Sequence, residues 1–200
     1  MIFVATVLHA RAVYPEVRLM RLHRVSVLLM LVAVPSIVGL SRIHAAVDSN
    51  DPTGVRAALA DGADINEIGE DGRTPVMHAA YSDKLRAAAA LMKMGADATI
   101  RDGTGLTPMH AAAQHGYGKI VRMLLRYEVD ANDMHSDGLT PFHRACLGSD
   151  AGHTDAVFAF LDGGVPPDQP TADNRQPLDM AGSENTRKLL MESLREKRRR

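Results

Sequence analysis

Two kinds of apolar stretch divide the chain. Residues Val25 to Leu40 (VSVLLMLVAVPSIVGL) run for sixteen positions without a charge or a polar face, and beyond them apolar residues return only in short, spaced clusters. In one such cluster Ile120, Val121, Leu124 and Leu125 fall at i, i+1, i+4 and i+5. That spacing draws one apolar stripe down a helix. Other clusters are alanine-rich and stand directly after a proline: VMHAA from Val76, MHAAA from Met109, FHRAC from Phe142 and LDMAG from Leu178. A threonine hydroxyl can cap free backbone N–H groups, and proline suits the first helical position. Thr74-Pro75, Thr107-Pro108 and Thr140-Pro141 therefore predict three short helix starts, each followed by a second, striped helix. Gly95 and its equivalents predict left-handed ends for those second helices.

These elements recur with a fixed period. The three Thr-Pro pairs are 33 residues apart, and Gln176-Pro177 follows 36 later. A second marker keeps phase: Gly62-Ala63-Asp64, Gly95-Ala96-Asp97, then Glu128-Val129-Asp130 and Gly164-Val165-Pro166 as worn copies. Matching Gly116 to Gly152 places the three extra residues between Cys146 and Gly152, in the loop joining two helices. Pro166 and Pro167 stiffen the last turn. Extended backwards, the register aligns Ser41-Arg42-Ile43-His44 with the Thr-Pro-apolar-His signature, and Val55, Ala58 and Leu59 with Val121, Leu124 and Leu125.

On these motifs the chain resembles the ankyrin-repeat proteins, whose unit of about 33 residues carries a T-P-L-H-x-A signature. The best copy is GLTPMHAAAQHGYGKIVRMLLRYEVDANDMHSD, from Gly105 to Asp137. The resemblance implies an all-α solenoid of helix-turn-helix repeats joined by β-hairpin loops, each repeat touching only its neighbours. Residues 41–190 form the expected domain: repeats at 41–73, 74–106, 107–139 and 140–175, then a terminal cap at 176–194 carrying Leu189, Leu190 and Leu194. Residues 195–200 remain as a basic tail. At the signature His position stand His110 and His143, for which the resemblance implies a structural role tying adjacent loops. Met77 takes that place in the second repeat.

Residues 1–40 read as a secretory leader. Arg18, Arg21, His23 and Arg24 precede the apolar run, a basic region followed by a hydrophobic one. At about 1.5 Å per residue the run spans roughly 24 Å as a helix, short of the ~30 Å hydrocarbon core, and Pro35 interrupts it. A cleaved signal is the favoured reading, a retained signal anchor the alternative, and both export everything after Leu40. Met20 opens MRLHR, a second candidate start that would leave out the first 19 residues. Cleavage after Ala45 would cut the first repeat's first helix, whereas cleavage near Gly39 to Ser41 would spare it.

Composition then narrows the chemistry. Alanine occurs 28 times against 4 Tyr, 4 Phe and no Trp, as thin, closely packed helices require. The net charge of -1 is a cancellation. From Ala46 to Thr186 there are 21 acidic and 11 basic residues, and from Arg187 to Arg200 there are 2 and 7. An acidic body argues against nucleic acid as a partner. Cys146, the lone cysteine, aligns with Ala80 and Ala113, small packed positions rather than a nucleophile's setting. Neither a nucleophile elbow, a phosphate loop nor a zinc-protease motif occurs, and histidines such as His115 and His153 fall in successive repeats, too dispersed to share a metal. No enzyme activity, cofactor or metal is expected.

What remains is surface. The resemblance implies partner binding by a concave face built from hairpin tips and first helices. On this sequence the tips supply Glu67, Ile68, Glu70, Asp71 and Arg73, then Ile100, Arg101, Thr104 and Leu106, then Asp133, Met134, Asp137 and Leu139. The first helices add His78, Tyr81, Gln114, His115, Arg144 and Leu147. Ile68, Ile100, Met134 and Leu139 are expected as an exposed apolar strip rimmed by charge. The expectation is thus a monomeric, non-enzymatic scaffold for a protein partner, periplasmic or secreted. A membrane-anchored tether with its repeats outside the cytoplasm is the alternative, and the membrane enters only if 25–40 is retained.

Overall fold

Each Thr-Pro pair opens a helix. The structure, a computed structural model, describes residues 42–199, so the leader, its apolar run and Arg200 lie outside the described residues. Nine α-helices follow one another there: α1 Arg42–Asp48, α2 Pro52–Ala60, α3 Pro75–Tyr81, α4 Leu85–Lys93, α5 Pro108–Gln114, α6 Gly118–Arg126, α7 Pro141–Leu147, α8 Ala151–Asp162 and α9 Glu184–Arg199. Thr74, Thr107 and Thr140 are extended N-caps, with Pro75, Pro108 and Pro141 at the first helical position. Odd and even helices pair through α8. The first helices then pack α1 on α3, α3 on α5 and α5 on α7, and the second helices likewise from α2 to α8. The result is two helical layers side by side.

One core runs between the layers. Ile43, Val76, Met109 and Phe142 hold the same register position, each no more than 1% exposed. From the second layer come Val55, Leu91, Leu124 and Phe160, also inaccessible, and the Phe142 and Phe160 rings meet edge-on at 5.9 Å. Alanines 79, 80, 111, 112 and 113 fill the close contacts between first helices. Cys146 is fully buried among them, and burial pushes its thiol up to about 12, which suits a packed core residue.

Between helix pairs the chain folds into finger turns without strands. Each finger closes with an outer backbone bond, Gly69 N–H to Arg73 O, Asp102 N–H to Leu106 O, His135 N–H to Leu139 O and Thr171 N–H to Arg175 O, and an inner one in which the Gly72, Gly105, Gly138 and Asn174 N–H groups donate back to the Gly69, Asp102, His135 and Thr171 carbonyls, all at 2.9–3.0 Å. Both bonds fall on one residue, so each finger is a tight turn too short to propagate a ladder. The residue before each closing carbonyl residue is left-handed: Gly72, Gly105, Gly138, and Asn174 at φ 64°. A Cβ on Gly138 would also come within 2.7 Å of the Ala172 Cβ, so turn and packing both require glycine there.

Two details differ from the sequence expectation. The three extra residues of the fourth repeat do not lengthen the inter-helix loop; α8 begins at Ala151 and runs twelve residues where α4 and α6 run nine. Asp150 supplies the N-cap that makes this extra turn possible, accepting from the His153 N–H. In the last unit, Gln176 to Met180 form only a turn, lacking the Thr cap and the His partner, and α9 continues through Arg199, taking in most of the tail. Thr186 and Leu190 seat its first half. Its second half bridges a cleft of about 430 Å³ lined by Pro167, Leu178 and Leu194 and is held at its far side by Lys197 on Asp168 at 2.6 Å.

Candidate functional site

The signature histidines knit cap to finger. In α7, Nδ1 of His143 accepts from the Thr140 N–H at 3.2 Å, so Nε2 carries the proton and donates to the Gln169 carbonyl of the next finger at 2.8 Å. His44 makes the same reach to the Glu67 carbonyl at 3.1 Å. His110 closes its capping box with Thr107, yet its Nε2 finds no partner among the described residues. Burial lowers the His110 pKa to about 4, against a partial offset from Asp133 3.9 Å away. Burial lowers His143 as well.

Along the finger tips and first helices, the side chains named from the sequence lock one another across repeats. His78 Nε2 lies 2.7 Å from Asp48 and its Nδ1 3.4 Å from Asp71. Arg73 stacks over the Tyr81 ring at 3.8 Å, and the Tyr81 hydroxyl donates to Asp102 at 2.8 Å. Burial and the Asp102 carboxylate raise the Tyr81 pKa. Arg101 donates to Asp133 at 2.6 Å and to the Gly105 carbonyl. Arg144 is the most connected, reaching Asp137 at 2.6 Å, His135 Nδ1 at 3.0 Å and Gln114 at 3.2 Å. His115 packs against Tyr81 and Tyr117, and burial lowers its pKa.

The apolar strip is shorter than expected. Ile68 is 65% exposed, Met134 46% and Leu147 47%, whereas Leu139 and Leu106 are at most 9% exposed and Ile100 is half-buried. Leu106 and Leu139 supply the finger's closing carbonyl directly before the Thr cap, the position that Arg73 and Arg175 fill in the other fingers, and as apolar residues there they are buried. Glu70 is exposed, and the Glu67 side chain is half-buried above the carbonyl that His44 holds.

Sequence reasoning passed over several cross-repeat connectors. Asn50 Oδ1 accepts from both the Arg86 and Ala87 N–H groups at 3.0 Å, capping α4 from the preceding repeat because Lys84 makes no side-chain cap. Asn66 takes the Asp97 N–H, and His153 joins Asp150 to the Gln114 carbonyl. His135 reaches the Thr104 carbonyl at 2.9 Å. Asn50 carries a periodic signal in its backbone: like Asp83 and Gly116, each one repeat further on, it is left-handed.

Two stacked helical layers with projecting finger turns define a helical-repeat solenoid. The family model for ankyrin repeats matches residues 43–135 in three copies, and the chain accordingly carries an ankyrin-repeat domain. The fourth helix pair, α7 and α8, extends the same stacking beyond the matched segment. No curated protein matches the chain. Ankyrin-repeat domains are a non-catalytic class that serves protein–protein interaction. Among the described residues no three metal-ligating side chains converge, and no helix is long and apolar enough to cross a membrane.

Proposed function

We propose that this protein is an exported scaffold that holds a protein partner on its finger and first-helix face. The observation that carries the reading is the exposure of Ile68 and Met134 at finger tips and of Leu147 at the end of a first helix. Their charged neighbours Arg101 and Arg144 are already fixed by Asp133 and Asp137. Pre-ordered polar groups around exposed apolar ones lose little side-chain entropy on binding, so the apolar contacts can dominate affinity. Affinity capture with the wild-type chain and with Ile68→Asp/Met134→Asp tests this. A protein recovered by the first and lost by the second is expected; equal recovery by both counts against this face.

Export rests on the basic residues 18–24 and the uncharged run behind them. Because Ile43 and Val47 of α1 are fully buried, cleavage ahead of Arg42 keeps the first repeat whole. The amino terminus of the mature protein decides the matter: a start between Leu40 and Val47 fits a cleaved leader, and a retained run points to the tether form.

A further inference from the structure

Every arginine on the finger side is neutralised: Arg73 by Asp71, Arg101 by Asp133, Arg144 by Asp137 and Arg175 by Asp173. The second layer is built differently. Helices α4 and α6 carry Arg86, Lys93, Lys119, Arg122 and Arg126 without a single carboxylate. None of the five forms an ion pair among the described residues. Residues 119, 122 and 126 share one face of α6, and Arg86 and Lys93 repeat its outer positions on α4 one period earlier. Lys93 and Arg126 suit the carboxyl ends of their helices. Arg86 and Lys119 stand in first turns, where the helix dipole disfavours a cation, so helix stability gives them no purpose.

Apolar groups are interleaved with these charges. Met94 and Tyr127, again one period apart, are each 43% exposed, and Phe158 on α8 is 47% exposed with the Arg122 guanidinium 6.0 Å from its ring. At the edges the charge turns over, to Asp83 and Glu128 beside the helices and to Asp155 and Asp162 on α8. The cations are thus bounded to the second and third repeats, with Phe158 of the fourth at their border.

We propose that this second-helix face docks on an anionic lipid surface. Long-stemmed cations that reach lipid headgroups while aromatic and thioether groups settle at their level match a bilayer interface. A long polyanion such as nucleic acid would also meet the acidic flanks of the domain, whereas a bilayer meets one face alone.

The chain contains no tryptophan, so Phe158→Trp in the full-length protein places a single reporter on the face. With phosphatidylcholine vesicles containing phosphatidylserine, its emission shifts to the blue and high salt reverses the shift. Vesicles of phosphatidylcholine alone give no shift. Adding Arg122→Glu/Arg126→Glu lowers partitioning roughly tenfold or more, with unchanged helical circular dichroism. Arg86→Gln/Lys119→Gln, which removes charge without reversing it, weakens binding in the same direction. Equal shifts on both vesicle types, or a shift that survives both pairs of substitutions, overturns the proposal. So does a single-stranded oligonucleotide that shifts the reporter more strongly than the vesicles. Partner capture through Ile68 and Met134 is untouched by these variants, so the two readings fail separately.

Discussion

His143 spends its Nε2 hydrogen on the Gln169 carbonyl, and His110, at the same register position, has no acceptor for the equivalent one. A buried donor without a partner costs about 1–3 kcal/mol. Protonation is worse, because the folded ring resists the proton until about pH 4 while an unfolded histidine takes it near 6.5. The unfolded state therefore binds more protons between those values, and stability is lost as pH falls through that window and is constant above it. The full effect of His110 is on the order of 3 kcal/mol. Resistance to urea is expected to weaken from pH 6.5 towards 4, with a shallower slope in His110→Met, which copies Met77 of the preceding repeat; an unchanged slope would remove His110 as the cause. Glu128 offers an opposite case. It ends α6 at φ 58°, where Gly62, Gly95 and Gly164 serve the other repeats. Relief of left-handed strain outweighs the added chain entropy, so Glu128→Gly is expected to gain about 0.5–1 kcal/mol, read as a melting point higher by roughly 1–4 °C.

At the level of elements, the first helices were legible because a Thr-Pro pair is a local instruction, and the second helices because their stripes repeat in phase. The connectors were not. Asn50 has no sequence relation to the α4 N–H groups it caps 36 and 37 residues later; only the stacking brings them together. Asn50→Gly keeps the left-handed conformation and removes the acceptor, so it is expected to cost about 1–2 kcal/mol. Denaturant midpoints of that variant and wild type measure the difference, and a neutral result would mean water replaces the cap. The insertion was mislocated for a related reason. Matching Gly116 to Gly152 treated both as loop residues, while Asp150 is a strong enough cap to start α8 one turn early. The finger strip came out shorter because the position before the Thr cap holds Arg73 and Arg175 in two fingers and Leu106 and Leu139 in the others, so its register does not by itself say whether the side chain is exposed.

Across the whole molecule, packing is uneven along the stack. The fourth repeat is anchored by Phe142 and Phe160, the first by Ile43, Val47 and Val55, and the distal half of α9 by half-buried Leu194 and the Lys197–Asp168 ion pair. In a one-dimensional array, local opening follows such differences. Amide exchange is expected to be slowest in α6 to α8, faster in α1 and α2, and fastest beyond Met191; uniform protection along the stack would contradict it. The period and the acidic total were readable in advance, but the sorting of charge between the layers was not, because the chain passes from one layer to the other at every helix and the charges of one layer are brought together only by stacking. That sorting has a directional consequence. With carboxylates gathered along the fingers and unpaired cations behind α4 and α6, the domain is an electric dipole whose axis crosses the stack. Within about 10 Å of a negatively charged surface at ordinary salt, the resulting torque turns the cationic layer inward before any side chain touches. The fingers are then left pointing into solution, open to whatever approaches from there.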